Sequence, residues 1–187
     1  MKNWIFIFMI SMITLPGYGK VKVQKPKIKH PTAFAILVDE VTYEKIPGAI
    51  EAYRDAIEKD GLSAYIVSGN WESPDQVRKE IIALSRRKPV LEGIVLVGDI
   101  PVVMIRNAQH LTTAFKMDEE AFPFIESSVP SDRFYDDLHL TFDFIRRDSV
   151  HPDYFYYKLR EDSPQQLQPV CNTGCTIPGM ADVGRSG

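Results

Sequence analysis

The sequence predicts an α/β domain built on a parallel sheet of at least three strands with flanking helices. Three observations point there. Phe34–Val38, Leu62–Val67 and Gly93–Val97 are short, mostly apolar runs without alternation, as expected of strands buried on both faces. Amphipathic segments separate them. The repeat length is about 30 residues, the size of a strand–helix–strand unit, so the order β-α-β-α-β implies parallel pairing through crossovers.

The first strand ends in Asp39-Glu40. Ile46 to Lys59 then places Ile46, Ile50, Tyr53 and Ile57 at helical spacing, with Pro47 in the first turn and Gly61 as the stop. The second strand ends at Ser68-Gly69-Asn70. Ser73 is placed to cap the next helix, with Pro74 at its first position and Val77, Ile81 and Leu84 as the buried stripe. Arg86-Arg87-Lys88 suit the negative end of that helix, and Pro89 stops it. The third strand ends in Gly98-Asp99. Asp39, Asn70 and Asp99 are thereby expected at one edge of the sheet, where open α/β folds place ligands. Turn chemistry alone also favours Asp and Asn there, so all three are read as structural sheet-edge groups.

After Asp99 the regularity fades. Ile100 to Ile105 is a short strand or a loop wall. Thr141–Ile145 and Tyr154–Tyr157 read as a hairpin. Residues 166–187 carry little periodicity and form an irregular tail that resembles a truncation or a shifted frame.

The chain of 187 residues fits one domain of about ordinary size, and its 44% hydrophobic content suits a globular core. A net charge of -3 argues against nucleic acid as a partner. Lys2, the apolar run Trp4–Leu15 and Pro16-Gly17-Tyr18-Gly19 match a signal peptide over 1–19, with cleavage after Gly19. The run is shorter than the about 20 residues of a membrane span. Export to the periplasm, the cell surface or the medium is therefore expected, with no stable membrane span after cleavage. Residues 20–32 alternate Lys with apolar groups and read as a basic, solvated linker with a short edge strand at most. The domain proper runs 33–165.

The chemistry-bearing residues are few. Glycine-rich phosphate loops are missing after every strand. Asp132, Asp136, Asp137 and Asp143 form an acidic group that is a weak calcium candidate in an exported chain. The competing account is a solvated loop paired with Arg133 or Arg146, so no metal ligand and no cofactor is assigned. His30, His110, His139 and His151 lack ligand spacing, and Cys171 and Cys175 fit neither a zinc knuckle nor a redox pair.

Two segments together carry a resemblance. Leu96-Val97-Gly98-Asp99, followed about 30 residues later by Pro130-Ser131-Asp132-Arg133-Phe134-Tyr135-Asp136-Asp137-Leu138, behind a signal peptide, resembles the first half of the gingipain-like catalytic domain. These are exported cysteine endopeptidases with a caspase-like fold, whose layering is related to the flavodoxin-like one. The resemblance covers roughly residues 33–160. It implies a peptide or protein substrate once a downstream half completes the domain. It also implies that the Ser131–Tyr135 segment borders the substrate pocket, with Asp132 and Tyr135 as substrate-binding residues. The family's histidine lies in a Gly-His-Gly turn and its cysteine follows a later strand. This chain has neither, so no catalytic residue is assigned and the chain is expected to be inactive by itself. The stretch between Asp99 and Pro130 is also longer than the family's. The alternatives are a secreted, non-catalytic α/β binding or assembly module, and a flavodoxin-like domain holding a small anion.

Overall fold

The computed structural model describes residues 21–106 and 118–164. The residues read as a signal peptide, His110, the tail and both cysteines lie outside them. The described chain is α/β, with two mixed four-stranded sheets. The first contains β1 (Lys22–Gln24), β2 (Thr32–Asp39), β3 (Ser63–Gly69) and β4 (Val90–Val97), in the order β1-β3-β2-β4. β2 pairs in parallel with both β3 and β4, and β1 adds an antiparallel edge to β3.

The helices divide between the two faces of this sheet. Helices α1 (Glu40–Lys45) and α2 (Pro47–Lys59) connect β2 to β3. Ile50 and Ile57 of α2 pack on Ile36, Val38, Ala64, Ile66 and Val95. Helix α3 (Pro74–Ser85) connects β3 to β4, and its Val77, Ile81 and Leu84 join the core that holds Ala35, Leu37, Val67, Ile94 and Leu96. Successive strand residues point to opposite faces, so even and odd positions of β2 serve different cores.

Beyond β4 the chain builds a second sheet instead of an isolated hairpin. β5 (Val102–Arg106) is followed by the short helix α4 (Phe124–Ser127), β6 (Val129–Pro130) and the short helix α5 (Arg133–Asp136). The expected hairpin is present as β7 (Phe142–Arg147) and β8 (Tyr154–Leu159), paired antiparallel. β8 also pairs in parallel with β5, giving the order β6-β5-β8-β7. Val103, Ile105, Phe134, Phe155, Tyr157 and Leu159 join the α3-side core, so the two sheets share one hydrophobic interior. Among the described residues no helix is long and apolar enough to cross a membrane.

Two expectations are corrected. Ile46 and Tyr53 are exposed, and the buried side of α2 carries Arg54 and Glu58 beside Ile50 and Ile57. The hydroxyl of Ser73 makes no capping hydrogen bond, although α3 does start at Pro74. The basic segment is mostly exposed and carries the short edge strand β1, and its backbone is also tied to α2. Its Lys27 and Ile28 amides donate to the two Glu58 carboxylate oxygens at 2.8 and 3.2 Å. Arg54 Nη1 donates to Gln24 Oε1 at 3.2 Å, while Lys22 and Lys27 pair with Glu40 and Asp55. The arm supplies the amide partners of the buried Glu58 carboxylate and adds one partner to Arg54, which also pairs with Glu51 at 3.3 Å and Asp55 at 3.7 Å.

Replacing Glu58 with Ala is expected to lower unfolding stability by about 1.5–3 kcal/mol, the range for a hydrogen bond to a charged group. In hydrogen exchange, the Lys27 and Ile28 amides are expected to lose protection. Unchanged protection in that variant would show that the arm is held by something else.

Candidate functional site

The strand order places a topological switch between β2 and β4, because the chain leaves β2 for β3 on one side and then crosses from β3 to β4 on the other. In such sheets a crevice opens beyond the carboxyl ends of the two strands that flank the switch. A cleft of about 440 Å³ lies there, and Asp39, Asn70 and Asp99 all line it. The structure thus brings the three sheet-edge residues together.

Asp39 is the organising group. Its carboxylate is 7% exposed. Oδ1 accepts from the Thr42 amide at 2.9 Å, capping α1, and Oδ2 accepts from the Asp99 amide at 2.9 Å. Burial acts to raise its pKa, but hydrogen bonds from Thr42, Asp99 and Val41 outweigh it, and the carboxyl titrates below its ordinary range. Gly98 makes this closure possible. It has φ +83, and a Cβ there would lie 1.9 Å from Asp39 Oδ2.

Asp99 faces the opposite balance. Burial first, then the charges of Asp153 and Asp39, push its carboxyl above the ordinary value. Glu40, Glu72 and Asp153 also line the cleft, with Arg147 as the cation among them. Trp71 closes one side and donates its indole N–H to the Val38 carbonyl at 3.1 Å. The site therefore has the electrostatics of a receptor for a cationic group.

Trp71, Arg147 and Asp153 were missed by sequence reasoning. Trp71 follows Asn70 directly, so its place at a strand end was a readable signal. Arg147 and Asp153 flank the β7–β8 turn, and no local pattern reveals that this turn meets the first sheet.

Asp132 and Tyr135 line a second, smaller cavity of about 30 Å³ together with Gly98 and Pro101. Tyr135 is 2% exposed and donates its hydroxyl hydrogen to the Pro101 carbonyl at 2.7 Å. The Ser131 amide donates to the Val103 carbonyl at 3.0 Å. Pro101 also lines the larger cleft, so one segment forms a wall of both hollows.

The acidic group divides between solvent and core, with Asp143 exposed and the expected pairing to Arg133 present. Asp136 and Asp137 are 1% and 0% exposed, and Asp136 pairs with Arg133 at 2.5 Å. Among the described residues no group of three or more His, Cys, Asp or Glu is placed to hold a metal ion. His139 lies in the loop after α5, and His151 stacks on Tyr154 at 5.2 Å. The chain matches no family model, no curated protein and no solved structure.

Two variants test this geometry. Gly98→Ala is expected to cost about 2–4 kcal/mol, from the positive φ together with displacement of a hydrogen-bonded carboxylate. A urea titration showing a loss below about 0.5 kcal/mol would contradict the close approach. Asp99→Asn is expected to raise the melting temperature at neutral pH, because the folded state holds the Asp99 anion less favourably than the unfolded chain does. A raised carboxyl pKa means that the parent recovers this deficit as pH falls through that value. The gap between variant and parent should therefore close in acid, and a gap that widened there would refute the assignment.

Proposed function

We propose that this chain is the substrate-facing N-terminal part of an exported, gingipain-like cysteine endopeptidase, which binds peptide without cleaving it. One observation carries the reading. Leu96 and Gly98 of the first resembling segment and Pro130, Ser131, Asp132 and Tyr135 of the second line one small cavity beside the cleft at the strand ends, and the Tyr135–Pro101 and Ser131–Val103 hydrogen bonds tie the second segment to the chain just after the first. An acidic cleft suits the basic side chain of a peptide, held by charge-assisted hydrogen bonds. The smaller cavity is too narrow for such a side chain. In this reading the cation lies along the open cleft, and Asp132 and Tyr135 shape the wall beside it.

Cleavage would need a thiolate, a positioned histidine and oxyanion donors. No residue of this chain is given those roles. In the proposal they come from a downstream half, and export places the substrate outside the cytoplasm. Calcium has no part in it.

One observation favours a second reading, a secreted non-catalytic binding or assembly module. The second sheet closes over the α3 side of the first and completes a shared core, as a self-standing domain would. The reading frame past codon 187 separates the two. A Gly-His-Gly turn followed by a later cysteine supports the peptidase half, and a frame without them supports the module.

The binding claim is checked by titrating the purified chain with a short peptide that carries one arginine. Binding is expected without turnover, and Asp99→Asn is expected to weaken it about tenfold, the equivalent of ~1.4 kcal/mol. Hydrolysis by this chain alone, or equal binding when norleucine replaces the arginine, would sink the reading.

A further inference from the structure

Four strand edges end the two sheets among the described residues, and β7 differs from the other three. β1 has three residues, and β6 has two and includes Pro130. Such edges are short or blocked, which is how proteins prevent unwanted pairing. β4 has its side chains from Gly93 to Leu96 buried. β7 has six residues and is largely exposed on both faces, with Phe144 54% exposed.

The charges on β7 are arranged for self-recognition. Asp143 lies opposite Lys158 of β8, and Arg146 lies opposite Tyr156, with a register shift between Phe144 and Arg146. Lys158 and Tyr156 are two apart on β8 and share a face, so the bulge brings Asp143 and Arg146 to one face as well. Phe142, Phe144 and Arg147 lie opposite Leu159, Tyr157 and Phe155 and share the other face.

We propose that β7 is a self-association edge, where two copies pair antiparallel about a two-fold axis centred on the bulge. Asp143 then faces the partner's Arg146, and the symmetry makes this pair twice. Phe144 meets the partner's Phe144, and Phe142 meets the partner's Arg147. Opposite charges and aromatic pairs across strands are attractive.

The groups involved are available and placed. Asp143 lies 4.0 Å from Lys158, with both side chains about half exposed, and also faces the charge of Arg160. Arg146 lies over the Phe124 ring at 4.3 Å and the Tyr156 ring at 5.5 Å, which holds its guanidinium on the face it shares with Asp143. Burying Phe144 supplies the apolar part of the contact.

The test uses the full chain and two charge variants. In a concentration series by analytical ultracentrifugation, the parent is expected to double its mass reversibly. Asp143→Arg and Arg146→Asp are each expected to remain monomeric, since each sets two like-charged pairs across the axis. Their mixture is expected to regain dimers, because both cross-pairs are then opposite in charge. Native mass spectrometry reads those dimers as one copy of each variant. A parent that stays monomeric overturns the proposal, as do dimers of either variant alone at the parent's strength. So does a mixture that fails to form the mixed dimer although both variants melt like the parent.

Discussion

The carboxylate of Asp39 is held between two backbone amides from different parts of the chain, and the arrangement of the sheet edge depends on it. One amide starts α1, and the other belongs to the loop after β4. A hydrogen bond to a charged group contributes about 1.5–3 kcal/mol, so the pair is comparable to burying a large side chain. The closure works only if nothing stands between β2 and the turn after β4. Gly98 meets that condition twice, since it lacks a Cβ and accepts a positive φ. The turn then delivers Asp99 outward and Pro101 inward, which separates the open acidic cleft from the small apolar cavity.

A second linkage ties the halves of the molecule together through α3. Arg78 donates to the carbonyls of Asp137 and Leu140, at 3.1 and 2.6 Å, and lies over the rings of Phe134 and Phe142. Burial lowers its pKa, and the nearby Asp75 and Asp137 oppose that effect. Asp75 in turn accepts from the Tyr157 hydroxyl at 2.6 Å, and burial followed by this bond pushes the phenol far above its ordinary value. A helix that seals one sheet thus fixes the position of the other. The second sheet is held by polar contacts at its margins and by the shared apolar core between them.

The legible part of the fold is the part with local periodicity. The three parallel strands, α2 and α3 were readable because each is an uninterrupted apolar run or a helical stripe. The hairpin was readable from alternation at Thr141–Ile145 and aromatic density at Tyr154–Tyr157. The parallel pairing of β5 with β8 was not, because about 50 residues separate them and β5 looks the same as a buried loop wall. The sheet-edge residues of the site were legible for the same reason as the strands they end. Arg147 and Asp153 were not, because they reach the cleft only through that long-range pairing. Asp136 and Asp137 show the limit of composition, since four acids in a short stretch suggest solvent while tertiary packing buries two of them.

The arm before β2 shows how a misread helix face misreads its neighbour. A heptad-like count makes Ile46 and Tyr53 the buried side of α2, and a basic linker then has nothing to bind. Rotating the helix so that Arg54 and Glu58 face inward creates two ionised groups that need partners close by. The only segment between the signal-like leader and β2 is the arm, and its amides and Gln24 meet that need. Lys22 and Lys27 of the arm pair with Glu40 and Asp55 from outside, so these two lysines serve the fold. β1 begins at Lys22, and Val21 packs against the core. Cleavage after Gly19, as proposed from the leader pattern, would leave every one of these contacts intact, whereas cleavage beyond Ile28 would strip the arm's amides from Glu58 and leave Arg54 with Glu51 and Asp55.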